Sequence, residues 1–503
     1  MRRLLLPFLL FASAASLTAE VRLPNVLSDH AVLQRDRPVR IWGTGAPGEP
    51  VSVSFHAQTI AAKADDYGQW EAWLKPEAAG GPYTLTVTGN STAAPLKRED
   101  ILMGDVWVAS GQSNMEMPLR GFGPDTPVKD GDKEIAAANH PRIRLLLQAH
   151  RPSGVPLYDT RDTWTVCTPE TAKTFSAVAY FFGREISEKE KVPIGLIDTT
   201  WGGTPAHSWM SAGGIAYNNL TSVYTEGATL IEDQGRAEYL KPLLTEQDAA
   251  DKAAGRPAVK HPPLLDRGGS WTPSALYNGM IAPYTRYAIK GAIWYQGESD
   301  ASATYAPNYA RVFGAMIQDW RRQWGQGNFP FLWVQISSWT TQSDGWNTVR
   351  DAQRRTLQLE NTGMAVSLDV GNATNIHPAD KQTVGARLAA AALAGTYGEK
   401  VEGTSPLFVQ ATVEESSIRA WFSHSNGLKT KVTPVGGFEV AGVDRKFVPA
   451  EARIEKVGAF ETVVATAASV PQPRYIRYGW SPVVTSYLYN SAGLPAGTFT
   501  SEP

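Results

Sequence analysis

The apolar run Val106-Trp107-Val108-Ala109 leads into Gly111-Gln112-Ser113-Asn114-Met115 and then Glu116-Met117-Pro118. A strand that ends in a glycine, a polar residue and a serine has the makings of a tight turn that lifts a hydroxyl above the end of a sheet. Such a hydroxyl attacks a carbonyl only when a base takes its proton and donors hold the oxyanion that forms. Serine in a glycine turn is also an ordinary structural residue, so Ser113 counts as a nucleophile only if those partners can be found.

Three other stretches carry them. Trp201-Gly202-Gly203-Thr204 supplies backbone amides that no side chain obstructs. Tyr295-Gln296-Gly297-Glu298-Ser299-Asp300 adds a side-chain amide and a carboxylate. Asn375-Ile376-His377-Pro378 brings an imidazole in a loop stiffened by proline before a helix start. Of eight histidines, His377 alone leaves the last strand of the α/β pattern. His207, in Thr204-Pro205-Ala206-His207-Ser208-Trp209, is the rival base, and lies where it could line a substrate pocket. A hydroxyl, an imidazole, glycine amides and a side-chain amide together suit acyl transfer.

The elements that must position these residues read as an α/β fold with a parallel sheet. Strands are expected at Ile101 to Ala109, Ile194 to Thr199, Ile289 to Trp294, Phe331 to Ile336 and Met364 to Leu368, giving five. Helical patterns cover Ala177 to Lys189, Tyr305 to Trp324, Trp346 to Leu359 and Lys381 to Tyr397. Loops gather beyond the carboxyl ends of such strands, where all the stretches above fall, with Gln335 and Ser337 ending the fourth strand. Residues 20–98 alternate in short strands at spacings near ten, a β-sandwich pattern. Residues 99–400 hold the α/β region, interrupted at about 212–269 by a polar helical insertion, and residues 401–503 return to a β pattern.

Composition bounds the function classes. At 503 residues the chain has room for roughly three domains of about 150 residues each. Its 47 Lys and Arg against 49 Asp and Glu leave a formal charge of −2, and no basic stripe invites nucleic acid. Arg2-Arg3, the apolar run Leu4 to Ala12 and small residues through Ala19 read as a signal peptide at 1–19. The mature protein is therefore expected in an exported, periplasmic or extracellular location, with no membrane span. Cys167 is the sole cysteine, which leaves no intramolecular disulfide and fits a packed residue better than a catalytic thiol. No histidine or carboxylate spacing suggests a metal, and no cofactor is implied.

The strings Gly-Gln-Ser-Asn-Met-Glu-Met-Pro, Trp-Gly-Gly-Thr, Trp-Tyr-Gln-Gly-Glu-Ser-Asp and Ile-His-Pro, in that order, resemble the sialate O-acetylesterase family, a branch of the SGNH (GDSL-like) hydrolases. The resemblance runs through nearly the whole chain. It implies a three-layer SGNH domain, with Ser113 as nucleophile and its own amide as one oxyanion donor. Gly203, or failing that Gly202, matches a second donor and Gln296 a third; Glu298 and Trp201 would contact the substrate or support those that do; His377 matches the base. One departure stands out. The family commonly places Asp three residues before the histidine, and Thr374 stands there, followed by Asn375. The imidazole would then be oriented by a backbone carbonyl, by Asn375 or by a more distant acid such as Asp369.

The resemblance implies an O-acetylated mono-, oligo- or polysaccharide as substrate. A sialate would need a cation for its carboxylate, for which Arg120 and Arg350 are the candidates; acetylated xylan or pectin is the alternative. The rival from another class is a non-catalytic glycan-binding protein, which the loss of the usual Asp would favour.

Overall fold

A computed structural model describes residues 20–90, 94–220, 241–256, 269–343, 345–431 and 434–503. The segment read as a signal peptide and much of the 212–269 insertion lie outside the described residues.

Six strands open the chain: β1 (Val32–Gln34), β2 (Val39–Thr44), β3 (Pro50–Phe55), β4 (Gln58–Lys63), β5 (Gln69–Leu74) and β6 (Gly80–Gly89). Their alternation sets which side is buried: on β5 Trp70, Ala72 and Leu74 turn inward while Gln69, Glu71 and Trp73 turn out. β3 pairs with β4 and β6, and β2 pairs with β5 in a separate ladder.

β7 (Leu96–Gly111) is 16 residues long and belongs to two neighbourhoods. Its first part pairs antiparallel with β6, while from Asp105 onward it pairs in parallel with β10 (Ile194–Thr200) and, from Trp107, with β11 (Gly291–Tyr295). One strand thus links the amino-terminal β region rigidly to the strand end that carries Ser113.

The central sheet runs in the order β13 (Thr362–Val366), β12 (Phe331–Gln335), β11, β7, β10, β8 (His140–Leu147), β9 (Thr165–Cys167). All neighbours are parallel except β9, which is antiparallel to β8. The expectation of five strands is therefore corrected to a mixed sheet with two more. β8 escaped the sequence reading because His140-Pro141-Arg142 at its start faces outward and only Ile143 to Leu146 are buried.

Helices cover both faces. Ala177–Glu190 packs with Lys381–Ala392 on one side, where Phe182 meets Trp107 edge-on at 5.0 Å. Tyr309–Trp324 and Trp346–Arg355 take the other, where Phe313 stacks on Trp294 at 6.2 Å. Trp107, Trp294, Trp320 and Trp333 are all fully buried, and truncating any one to alanine would cost about 3–5 kcal/mol. The insertion starts from a firm anchor: the Ser211 amide and hydroxyl donate to the buried Asp319 carboxylate at 2.7 and 2.9 Å. Cys167 is buried, and burial pushes its thiol up to about 12, as suits a packed residue.

Past residue 400 come two four-stranded antiparallel arrays with their own core of Ile418, Phe422, Val440, Val463, Ile476 and Phe499. Arg350 docks this region on the sheet. Fully buried, it donates to the carbonyls of Ile336, Ser337, Ser481 and Pro482 at 2.7–3.0 Å, which removes it as a candidate for a sugar carboxylate. Gln335 is spent likewise, donating to the Arg350 carbonyl and accepting from the Thr498 amide.

Candidate active site

The turn after β7 is clamped from both sides. The Trp201 amide, at the end of β10, donates to Gly111 O at 3.1 Å, and the Gln112 amide donates to Tyr295 O, the end of β11, at 3.0 Å. Gly111 has φ +132°, and a Cβ there would stand 2.2 Å from Tyr295 O, so the turn requires glycine. Gln112 adds a side-chain tie, its Oε1 accepting from the amides of Gly297 and Ser299 at 3.3 and 3.1 Å. A short helix, Ser113–Glu116, then presents Ser113 at the carboxyl end of the central strand.

His377 comes to it from the loop beyond β13. Its Nε2 lies 2.8 Å from Ser113 Oγ. Asn375 Oδ1 accepts from the His377 backbone amide at 2.9 Å, while Thr374 turns its amide and hydroxyl to Asn372 Oδ1. Phe122 meets the imidazole edge-on at 5.2 Å. Burial, helped by the nearby Lys381 cation and opposed by Glu116, lowers the His377 pKa to about 4, so the ring is neutral and able to accept a proton near pH 7.

Asp369 does not orient this ring. Both its oxygens face Arg387, at 2.6 and 2.8 Å, and Tyr489 donates to it as well. Asn375 holds the loop through its backbone rather than through the imidazole. Among the described residues Nδ1 of His377 has no hydrogen-bond partner, so Ser113 is the ring's one hydrogen-bonded neighbour there.

Asn114, the residue after the serine, joins the two halves. Its Nδ2 donates to Ile376 O at 3.0 Å and to Glu298 Oε1 at 2.6 Å, and its Oδ1 accepts from Lys381 Nζ at 2.6 Å. Burial lowers Lys381 to about 7 and raises Glu298. Glu298 therefore works behind Asn114.

Gln296 is not an oxyanion donor. Fully buried, it donates through Nε2 to Thr204 O at 3.1 Å and to Asp300 Oδ2, and accepts from Tyr309 Oη at 3.0 Å. It fixes the glycine turn from beneath. His207 is equally committed: buried, its Nε2 bonds Trp271 O at 3.0 Å, and burial lowers its pKa to about 4. Neither lines the site.

The glycine turn itself lies beside Ser113. A Cβ on Gly202 would come within 3.2 Å of Ser113 Cβ and 2.9 Å of Glu116 Oε2. The Gly202 amide donates to that Glu116 oxygen at 2.6 Å, and the other carboxylate oxygen meets His150 Nε2 at 2.8 Å. His150 stacks on Trp201, rings 4.2 Å apart and 5° from parallel. Gly203 is exposed, at φ +71°, with open space around it. Glu116, His150, Arg120 and Phe122 also line a cleft of about 390 Å³. Of these, Glu116 was within reach of sequence reasoning, three residues after Ser113 where one helical turn returns to the same face; His150 carried no motif. Among the described residues no three His, Cys, Asp or Glu side chains converge on a metal position.

The carbohydrate esterase family described as sialic acid-specific acetylesterase matches residues 103–244 and 267–394. The chain belongs to this family. The esterase is 35% identical to XAC1771, a carbohydrate acetylesterase from Xanthomonas citri, over 96% of this chain and 99% of that one, with a TM-score of 0.80. It is 28% identical to the sialate O-acetylesterases of Rattus norvegicus and Homo sapiens, covering 96% and 99% of this chain and 94% and 95% of theirs. Family membership makes the protein an esterase acting on sugars and sets aside the non-catalytic reading.

Proposed function

We propose that this esterase is exported and removes O-acetyl groups from acetylated sugars through a serine acyl-enzyme. The observation that carries the reading is the 2.8 Å contact between Ser113 Oγ and the neutral ring of His377. His377 Nε2 takes the hydroxyl proton as Oγ attacks the acetyl carbonyl. The amides of Ser113 and Gly203 receive the oxyanion, since the Gly202 amide is held by Glu116. Collapse breaks the bond to the sugar oxygen, which takes the proton from His377. Water then attacks the acetyl group on Ser113, His377 removing its proton and returning it to Oγ as acetate leaves. Missing a carboxylate on Nδ1 is compatible with turnover, because the third member of a triad chiefly fixes the tautomer and steadies the imidazolium.

The finer reading is a sialate ester. Arg120, exposed at the rim of the cleft beside Glu116 and Phe122, offers the cation that a sugar carboxylate needs, and the curated relatives carry the sialate name. Export is supported by Arg2-Arg3 followed by the apolar run Leu4 to Ala12. Acetate release from O-acetylated sialosides, acetylated xylan and acetylated pectin tests the substrate. Release from sialosides, weakened when Arg120 is replaced by alanine, is expected; release from xylan or pectin alone would make it a polysaccharide deacetylase.

A further inference from the structure

At the opposite edge of the sheet, where the parallel strands begin, β5 and the segments leading into β11 and β12 enclose a second cavity, of about 340 Å³. Arg37, Arg40, Trp73, Arg286, Trp324 and Gln326 line it. Trp73 occupies an outward position of β5 and is 51% exposed, a large aromatic where the alternation calls for a polar residue. Arg40 lies over its ring at 5.4 Å and neutralises Glu71, at 2.7 Å from Nε. Arg37 donates to Ile289 O at 3.2 Å and to Gln326 Oε1, while Arg286 rests over Tyr158 at 4.8 Å. Among the described residues neither Arg37 nor Arg286 has a carboxylate partner.

Two guanidiniums without a carboxylate partner thus lie beside an exposed indole. A guanidinium binds a carboxylate through two parallel N–H donors, and an indole offers a flat apolar face to the C–H side of a pyranose. A neutral sugar would leave both arginines without a counter-charge; the chain as a whole, at a formal charge of −2, shows no basic stripe suited to nucleic acid. We propose that this cavity is a second glycan-binding site, separate from Ser113, that holds a carboxylated sugar unit, either a uronate or a sialate, against Trp73 with Arg37 and Arg286 on its carboxylate.

The parallel part of β7 from Asp105 to Gly111 spans about 20 Å, so the two sites are too far apart for one sugar to bridge. The second site would retain a glycan by a second point of attachment, raising its local concentration at the first. The proposal rests on the reading that the substrate is a glycan, and its test does not depend on turnover.

Isothermal titration of the full chain with trigalacturonate, sialyllactose and neutral xylotriose, all unacetylated, is compared with Trp73→Ala and Arg286→Ala. The expected result is binding of at least one carboxylated ligand, weakened about tenfold or more in both variants, with xylotriose weak throughout. Which carboxylated ligand binds decides between uronate and sialate. Equal binding of xylotriose, binding that survives both substitutions, or no binding at millimolar ligand would overturn the proposal. Aryl-acetate turnover, measured on the same preparations, should be unchanged in both variants; its absence from the unmodified protein would count against the esterase mechanism and leave the titration readable.

Discussion

Ser113 Oγ and His377 Nε2 stand 2.8 Å apart although 264 residues separate them in the chain. Two constraints produce the contact. The turn after β7 is clamped by Trp201 and Tyr295, and the histidine loop is tied to that turn because Asn114, next to the serine, bonds the carbonyl of Ile376, next to the histidine.

In the proposed mechanism the electrostatics of His377 set the acid limit of activity. A general base must be neutral, and an imidazole is neutral above its pKa; burial and Lys381 lower that value to about 4, from the usual value of about 6.5. The acid limb of kcat/KM should therefore fall near pH 4. Replacing Lys381 with methionine removes a cation that favours the neutral ring, so the limb should move to higher pH. An acid limb near 6.5 in the unmodified enzyme, or no upward movement in the variant, would show that the imidazole lies in a different environment.

Asp369 separates two accounts of the histidine. Its carboxylate is engaged by Arg387 in a pair whose side chains are each 10% exposed. Asp369→Asn should lower stability, by about 3 kcal/mol if the pair behaves as a buried one, as read from denaturant midpoints. The pH profile of kcat/KM should keep its shape, because the residue does not touch the imidazole. A shifted acid limb with unchanged stability would restore Asp369 as the third catalytic member.

Crowding at Gly202 gives a third test. An added methyl would meet Ser113 Cβ at 3.2 Å and, at 2.9 Å, the Glu116 Oε2 that accepts from the Gly202 amide. Gly202→Ala should reduce kcat on the order of 10²-fold, the scale of a disturbed oxyanion site, while global stability falls little. Wild-type turnover in this variant would mean that the turn has slack the structure does not show.

The motifs that announced Ser113 and His377 were readable because a strand, a glycine turn and a hydroxyl leave a local pattern, and strand ends in an α/β fold converge. Side-chain direction is not local. Gln296 and Asp369 sit at the expected strand ends yet turn away from the site, one toward Thr204 and Asp300, the other toward Arg387, because buried polar groups must find partners. His150 and Trp201 stack from distant parts of the chain, and no spacing could announce that contact. β8 was missed for a similar reason: only its second half is buried, so its apolar run is too short and too flanked by arginine to read as a strand.

The acyl-enzyme is the centre of the account and can be weighed directly. Acid-quenched intact-mass measurement during turnover of an aryl acetate, followed by peptide mapping, should find one acetyl group on the peptide that carries Ser113, and none in Ser113→Ala, which should also lose activity by about 10⁴-fold or more. Full turnover by Ser113→Ala, or an acetyl group mapped to another residue, would contradict it.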